Sequence, residues 1–371
     1  MPAPELVVYG SEISYFTGKL EAYLRFKEIP YERRPMTTRL FRGVVSEKTG
    51  AAQMPAVELP DGRWMTDTTP IIAWLETQHP EPAVIPEDPL QAFFSRLLED
   101  HADEWLWRPA MHYRWSYADG RRLLSERIVR ELMTNVPLPH ALKVLAIRRR
   151  QLGTYVRKDG VDARTREHVE ACYTRTLDQL SGVLEQRQFF LGERPTLADF
   201  GFMGPLFRHF ALDPTPARIM RNRAPAVWAW VARVWNARAG RVWNARAGRL
   251  HGPLVEGIPP DWEPILDEIG ATHLEHLCAN AEAWKAGRRR FDVTIQGVGY
   301  RRLPTSRYRV WCLERLRAHF AALSEPDQGA ARALLEKHAC WEPLWRVEGA
   351  ASGLDPEGRA PFAPGERVYP A

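Results

Sequence analysis

The sequence is poor in cysteine and has no long apolar run, and each of these absences excludes a class of protein. Its 371 residues include four cysteines in no CxxC pattern, so neither a zinc cluster nor a secreted disulfide framework is expected. We interpret all four as buried thiols outside any disulfide. No stretch reaches the roughly 20 apolar residues of a membrane-spanning helix, and no signal peptide is evident at the amino terminus. We expect a cytoplasmic protein with no metal and no membrane contact.

The positive charge of the chain is too small and too scattered to predict a nucleic-acid partner. The formal net charge is +5, and the arginine triplets at residues 148–150 and 288–290 are short and far apart. Such triplets are more often solvated helix faces. In contrast, fourteen tryptophans and a hydrophobic content of 45% predict a sizeable core, and the length allows two or three domains.

Strand and helix signals alternate in the first part of the chain. Helices are predicted from about residue 15 and over residues 69–78, and short apolar runs predict strands at residues 6–9, 29–34, 55–59 and 63–65. The segment 37–53 has no clear pattern. Prolines 80, 82, 86 and 89 then predict a stiff linker.

Beyond this linker the spacing of apolar residues is mainly helical. Thr196 and Asp199 have the spacing of a capping box, which predicts a helix start there. The segment 293–300 alternates like a strand, and the octapeptide 233–240 is repeated at 241–248, which we interpret as a duplication that lengthens a helix. Helices are predicted over residues 91–117, 167–184, 200–210, 308–323 and 329–340.

The stretch Gln53–Ile72 combines two unusual features. Pro55 removes a backbone donor at the start of a predicted strand. Asp67 and Thr68 stand at the start of a predicted helix, where unpaired N–H groups favour an anionic ligand. Each feature has an ordinary alternative, an edge-strand proline in one case and helix N-caps in the other. Their occurrence so close together favours a ligand site.

The order of these signals resembles that of the glutathione S-transferase family. The first part is similar to a thioredoxin-like α/β domain, and the segment after the prolines, with its capping box, is similar to the all-α domain of the family. The resemblance covers residues 5–255. It implies a glutathione-binding domain at 1–82 and an all-helical substrate domain at 90–257. Residues 258–371 resemble the additional, mostly α carboxyl-terminal extension that some bacterial members carry.

The resemblance implies a glutathione site around Pro55. In the family, the proline before the third strand has a cis peptide bond, here Met54–Pro55, and the backbone of the preceding residue pairs with the cysteinyl part of glutathione. The pair Asp67–Thr68 matches the recognition of the γ-glutamyl group. The implied glutathione-binding residues are Gln53, Met54, Pro55, Asp67 and Thr68.

The group that activates the glutathione sulfur is expected in the turn before the first helix. This turn, residues 11–17, contains no cysteine, which argues against thioredoxins, glutaredoxins and cysteine-type transferases. By the resemblance, Ser14 matches the serine of serine-type transferases, Tyr15 is the second candidate, and Thr17 is a further nearby hydroxyl. The alternative role of Ser14 is a plain helix N-cap.

A second pocket, for a hydrophobic electrophile, is implied on the helix that opens the helical domain. Its candidates are Trp107, His112, Tyr113 and Trp115, with core packing and contacts to a partner subunit as the alternative. The implied function is a homodimeric glutathione transferase of detoxification, which uses glutathione as co-substrate against an electrophile or a peroxide. The alternative is a non-catalytic protein of this fold that binds apolar ligands or protein partners.

Overall fold

The computed structural model describes residues 5–239 and 252–366 of the chain. The repeated octapeptide at 241–248, and with it the predicted lengthening of a helix, lies outside these residues. Within them, no helix is long and apolar enough to cross a membrane.

A four-stranded mixed sheet forms the centre of the amino-terminal part. The strands are β1 (Leu6–Gly10), β2 (Tyr31–Pro35), β3 (Ala56–Glu58) and β4 (Trp64–Thr66). They lie in the order β2-β1-β3-β4, with β1 parallel to β2 and all other pairs antiparallel. The helices are α1 (Tyr15–Lys27), α2 (Thr38–Leu40), α3 (Ser46–Thr49) and α4 (Thr68–Gln78). This arrangement confirms the predicted thioredoxin-like domain.

The segment without a clear sequence pattern, 37–53, consists of short helical turns. A π-helical turn, Phe41–Val45, joins α2 to α3. In these three pieces only Val45 and Thr49 are buried. A helix is recognised in a sequence by the regular spacing of the apolar residues on its buried face. Because these short helices bury so few residues, the segment shows no such spacing and no helix was predicted there.

The second part of the chain is all helical, as the resemblance implied. Its helices are α5 (Pro89–Glu104), α6 (Trp107–Ser116), α7 (Ala118–Leu132), α8 (His140–Gln151), α9 (Arg166–Leu184), α10 (Leu197–Pro205), α11 (Pro214–Arg223) and α12 (Pro225–Asn236). The prediction of one helix over 91–117 was wrong, because the chain breaks between α5 and α6. Pro109 has no N–H to donate to the carbonyl of Trp105, and its ring crowds that carbonyl.

The predicted capping box at the start of α10 is confirmed. The Thr196 N–H donates to Asp199 Oδ2 at 2.9 Å, and the Thr196 side chain accepts from the backbone of Asp199. Oδ1 of Asp199 accepts from Trp230 Nε1 at 2.9 Å and from the Phe190 N–H at 3.1 Å. Both residues of the box are buried, so this local motif also ties α10 to α12.

The carboxyl-terminal extension is a further, mostly helical layer. Its elements are α13 (Glu263–Glu268), α14 (Glu275–Lys285), β5 (Arg290–Ile295), β6 (Val298–Pro304), α15 (Arg307–Ala321), α16 (Glu325–Lys337) and α17 (Trp341–Trp345). The prediction of one strand over 293–300 was wrong. Gln296 and Gly297, both at positive φ, form a two-residue turn between β5 and β6, as tight hairpins require.

The extension covers helix α5. This helix packs against α10 and also against α15 and α16, with Phe93 edge-to-face on Phe320 at 5.9 Å between ring centres. Arg309 Nε lies 3.0 Å from Glu104 Oε2, and both side chains are buried. As a result, no residue in 91–104 is exposed. The domain boundaries 1–82, 90–257 and 258–371 remain predictions.

Candidate functional site

The start of β3 has the backbone geometry expected of the ligand site. The Met54–Pro55 peptide bond is cis, which confirms that expectation. Strand β3 pairs with both β1 and β4, so the alternative of an edge-strand proline is wrong. Pro55 is buried, whereas Gln53 and Met54 remain partly exposed. The two residues that precede the cis bond are therefore at the surface.

Asp67 is the N-cap of α4. Its Oδ1 accepts from the Thr69 N–H at 3.3 Å, and its backbone has φ 70°, a conformation that few non-glycine residues adopt. Burial raises the pKa of the Asp67 carboxyl, although the hydroxyl of Tyr308 and the charge of Lys19 act in the opposite direction. Thr68, the first residue of α4, is buried.

A residue of the extension binds the carboxylate of Asp67. The hydroxyl of Tyr308, in the first turn of α15, donates to Asp67 Oδ2 at 2.7 Å. Both oxygens of Asp67 therefore accept a hydrogen bond from the chain itself. The sequence analysis predicted the helix of Tyr308 but missed this contact, since an aromatic residue in a helix carries no signal of a partner far away in the sequence.

The last described residues of the chain lie across Gln53 and Thr66. The Thr66 N–H donates to the carbonyl of Pro361 at 3.3 Å, and Gln53 Nε2 donates to the carbonyl of Glu366. The Gly365 N–H donates to the Thr49 carbonyl at 2.6 Å. A cavity of about 40 Å³ remains between this segment, Asp67 and Tyr308.

Ser14 is the N-cap of α1. Its Oγ accepts from the Thr17 N–H at 3.3 Å, and the residue is partly exposed. The expected capping role is therefore present. It does not use the hydroxyl proton, which can still be donated to a ligand.

The other two hydroxyl candidates lie in the interior. Tyr15 is 1% exposed, and its hydroxyl donates to the carbonyl of Ala102 in α5 at 2.5 Å. Thr17 is fully buried beneath Gly10. The structure places both on the side of α1 that faces the protein core, and only Ser14 of the three reaches the surface.

Trp107 forms a partly exposed aromatic wall with two residues that the sequence analysis did not assign to a pocket. Its ring stacks on Phe16 at 5.8 Å and meets Tyr155 edge-to-face at 5.6 Å. All three are partly exposed. Phe16 lies two residues after Ser14, so this wall borders the start of α1. Tyr155 lies in a π-helical turn, Leu152–Arg157, that apolar spacing does not reveal.

The structure does not bring His112, Tyr113 and Trp115 to this wall. His112 Nε2 lies 2.9 Å from Glu170 Oε1 in α9. Tyr113 packs edge-to-face on Tyr173 at 5.1 Å, and Trp115 is 1% exposed. These contacts are core packing, the alternative considered for them, so we retain only Trp107 for the pocket.

A buried ion cluster connects α4 to the helical domain. Lys19 Nζ lies 2.7 Å from Glu99 Oε1 and 3.2 Å from Thr69 Oγ1, and it also contacts Asp103. Burial alone would lower the pKa of Lys19, but the charges of Asp103 and Glu99 raise it overall.

The described residues contain no group of His, Cys, Asp and Glu arranged to hold a metal ion.

Comparisons with solved structures give distant matches. A beta-etherase from Sphingobium sp. strain SYK-6 is 19% identical over 62% of this chain and 94% of its own, with a TM-score of 0.45. A glutathione S-transferase from Methylobacterium radiotolerans, solved with glutathione sulfonate, is 18% identical over 68% and 99%, with a TM-score of 0.39. One from Rhodospirillum rubrum F11 is 17% identical over 69% and 96%, with a TM-score of 0.40.

Family profiles match both domains. The glutathione S-transferase N-terminal domain matches residues 8–83, and the glutathione S-transferase C-terminal domain matches residues 147–237. A search of curated protein sequences finds no match. Neither profile reaches the extension, which begins after both. With its thioredoxin-like domain, its helical domain and its capping box, the chain belongs to the glutathione S-transferase family.

Proposed function

We propose that the protein is a glutathione transferase that activates the thiol of glutathione for attack on a hydrophobic electrophile or a peroxide. The observation that carries this proposal is the grouping of three features on one domain: the cis bond before β3, the acidic N-cap of α4 and the serine N-cap of α1. Each of these features corresponds to one part of glutathione.

The peptide portion of glutathione is assigned to the residues around β3 and α4. The backbone of Met54 pairs with the cysteinyl unit, and the neighbouring Gln53 offers a side-chain amide. Asp67 offers a countercharge to the α-ammonium group. The N–H groups at the start of α4, beside Thr68, favour the α-carboxylate, because a helix N-terminus has unpaired donors and a positive dipole end.

Activation of the sulfur is assigned to Ser14. A free thiol has a pKa of about 8.5, and each unit of lowering corresponds to about 1.4 kcal/mol. The Ser14 hydroxyl donates to the thiolate and thereby favours the ionised form. The positive end of the α1 dipole adds to this effect, since no acidic residue lies in the first turn of α1. The thiolate then bonds to the electrophilic carbon as the leaving group departs with its electron pair.

The electrophile is assigned to the wall formed by Trp107, Phe16 and Tyr155. The stacked pair at 5.8 Å presents apolar ring area beside the start of α1. Such surfaces bind apolar and aromatic molecules, because burial removes their area from water.

We also propose that the protein acts in detoxification, that it is cytoplasmic and that it forms a homodimer. All four cysteines are free and buried, which suits a reducing compartment. A partner subunit would have to contact a surface other than residues 91–104 of α5, since α10 and the extension together cover them.

A second candidate is a non-catalytic protein of the same fold. The observation that favours it is the contact of Tyr308 and of residues 361–366 with the residues assigned to glutathione. Calorimetric titration with glutathione and conjugation of chlorodinitrobenzene test both candidates together. Binding with thiol conjugation supports the transferase. Binding without conjugation of chlorodinitrobenzene or turnover of an organic hydroperoxide favours the second candidate, and absence of binding contradicts the transferase.

A further inference from the structure

We propose that residues 354–366 form an autoinhibitory strap, which covers the glutathione site and has to detach before glutathione binds. The inference rests on the proposed function. It adds a regulatory element from the extension, a part of the chain that neither domain profile covers.

The strap uses the polar groups next to the cis bond. The carbonyls of Glu366 and Pro361 accept from the Gln53 side chain and the Thr66 N–H, and the Gly365 N–H donates to Thr49. Glutathione is itself a short peptide, so its amide groups compete for the same kind of backbone and side-chain partners. The strap therefore occupies the space of the ligand and also uses the hydrogen-bonding groups that the ligand would use.

The strap is seated too closely to leave room for a tripeptide. A Cβ atom on Gly365 would lie 2.8 Å from both Gln53 Oε1 and Thr66 Cγ2, so the backbone itself approaches these side chains. The cavity that remains beside Gln53 and Asp67 is about 40 Å³, far smaller than the roughly 300 Å³ or more of typical ligand pockets. A neighbouring cavity of about 270 Å³ is lined by Arg307, Gly353 and the strap, not by Gln53 and Asp67. Glutathione and the docked strap cannot be present together.

The contacts that anchor the strap are suited to detachment. Phe362 packs edge-to-face on Trp74 at 5.4 Å, and the guanidinium of Arg63 lies 4.6 Å from its ring centre. Glu366 lies 3.7 Å from Arg307. All five side chains in these contacts are at least partly exposed, and exposed ion pairs contribute little.

The body of the extension is held differently from the strap. Arg309 and Glu104 are 3.0 Å apart and buried, and Glu314 binds the backbone of Ser352 at 2.7 Å just before the strap begins. We therefore expect the strap to move while α15, with Tyr308, stays in place.

The test is calorimetric titration of the full chain with glutathione, compared with the Phe362→Asp variant. A charged side chain cannot pack on Trp74, so the strap is released. The apparent Kd equals the intrinsic Kd divided by the fraction of open molecules. A strap that is docked 90–99% of the time therefore raises the Kd by about 10- to 100-fold, and the variant should bind more tightly by that factor.

Two further proteins ensure that the conclusion about the strap does not depend on the Phe362→Asp substitution alone. A chain that ends at Gly353 keeps the Ser352 contact and lacks the strap, and it should match Phe362→Asp. Glu357→Ala is the matched control, because Glu357 is exposed and its one ion-pair partner among the described residues is Arg359, within the strap; its Kd should equal that of the wild type.

The outcomes separate the strap from the proposed function. Equal, measurable affinity in all four proteins overturns the strap and leaves the transferase proposal intact. Loss of binding in the shortened chain alone shows that the segment belongs to the binding site, which also overturns autoinhibition. No binding in any of them overturns both proposals. Saturating glutathione should also speed tryptic cleavage after the exposed Arg359 in the wild type, and protection there contradicts detachment.

Discussion

The hydroxyl of Tyr308 donates to Asp67 Oδ2 at 2.7 Å, across 241 positions of sequence. This single contact joins the extension to the residue assigned to the ammonium group of glutathione. A tyrosine hydroxyl and an alkylammonium are both donors to a carboxylate, so they compete for the same oxygens. The extension therefore contacts the proposed site at two places, through Tyr308 at Asp67 and through the strap at Gln53.

Replacement of Tyr308 by phenylalanine should raise the affinity for glutathione. The variant removes a donor that competes at Asp67, and a net hydrogen-bond contribution of about 0.5–1.5 kcal/mol corresponds to roughly 2–10-fold in Kd. Titration calorimetry measures the change. Tyr31→Phe is the matched control, because Tyr31 donates to Glu21 at 3.1 Å from β2, the strand farthest from β4. An affinity that falls in Tyr308→Phe would mean that Tyr308 helps to bind the ligand.

Asp67→Asn should weaken glutathione binding and leave the fold intact. Loss of a charge-assisted hydrogen bond costs about 1.5–3 kcal/mol, which is roughly 10–150-fold in Kd. Asparagine is an equally good N-cap and tolerates positive φ, so the melting temperature should change little. An unchanged Kd would leave Asp67 as a helix cap only.

The sequence was sufficient for the features that depend on local chemistry. Pro55 and Asp67 were predicted at a strand start and a helix start, Ser14 was placed in the turn before the first helix, and their roles followed from the family resemblance; the structure has them at those positions. The capping box of Thr196 and Asp199 was found for the same reason. In each case, the cis bond or the capping hydrogen bond joins residues that are close neighbours in the sequence.

The sequence was insufficient where partners are far apart. Nothing in the sequence around Tyr308 indicates that this residue contacts Asp67. Gly365 lies in a Gly/Pro-rich segment in which no sequence pattern predicts a contact. In α6 the difficulty was different. His112, Tyr113 and Trp115 are all buried there, so the helix has no apolar periodicity that separates core residues from pocket residues.

Stability should fall as pH rises from about 4 to 6 because of Asp199. Burial raises the pKa of this carboxyl to about 6, although its hydrogen-bond donors act in the opposite direction. The folded state therefore holds a proton in this range that the unfolded state has lost, so the free energy of unfolding decreases as pH rises. The pKa of this carboxyl differs by about two units between the folded and the unfolded state, and this difference corresponds to a change of about 3 kcal/mol in the free energy of unfolding.

Urea unfolding of the wild type and Asp199→Asn at several pH values measures this effect. The variant is less stable throughout, because one amide oxygen replaces a carboxylate that accepts several bonds. Its stability should, however, vary less between pH 4 and 6 than that of the wild type. Parallel curves for the two proteins would assign the pH dependence to other groups.

Lys19→Met should destabilise the fold strongly. Glu99 and Asp103 would lose a buried cation that lies 2.7 Å from one of them and contacts the other. Removal of one partner from a buried ion pair costs about 3–5 kcal/mol. Denaturant unfolding measures the loss, with Lys337→Met as the control. Lys337 pairs with Glu263 at the surface at 2.6 Å, and its removal should cost about 0–1 kcal/mol.

Ser14→Ala should impair catalysis and preserve binding. If the Ser14 hydroxyl stabilises the thiolate beside the positive end of α1, its loss raises the pKa of the bound thiol. We expect a decrease in kcat/KM of roughly 10–1000-fold at neutral pH, with a Kd for glutathione within a few-fold of the wild type. Thiolate absorbance as a function of pH measures the pKa of the bound thiol directly.

Tyr15→Phe and Thr17→Ala are the controls for Ser14→Ala. Tyr15 donates to the Ala102 carbonyl inside the protein, so its replacement should lower stability by about 1–3 kcal/mol and leave the pKa of the bound thiol unchanged. Thr17 is buried beneath Gly10 and should also have no effect on that pKa. If Tyr15→Phe alone abolishes activity, the enzyme is of the tyrosine type. If none of the three variants changes the thiolate titration, no hydroxyl of this turn activates sulfur, and the non-catalytic candidate is favoured.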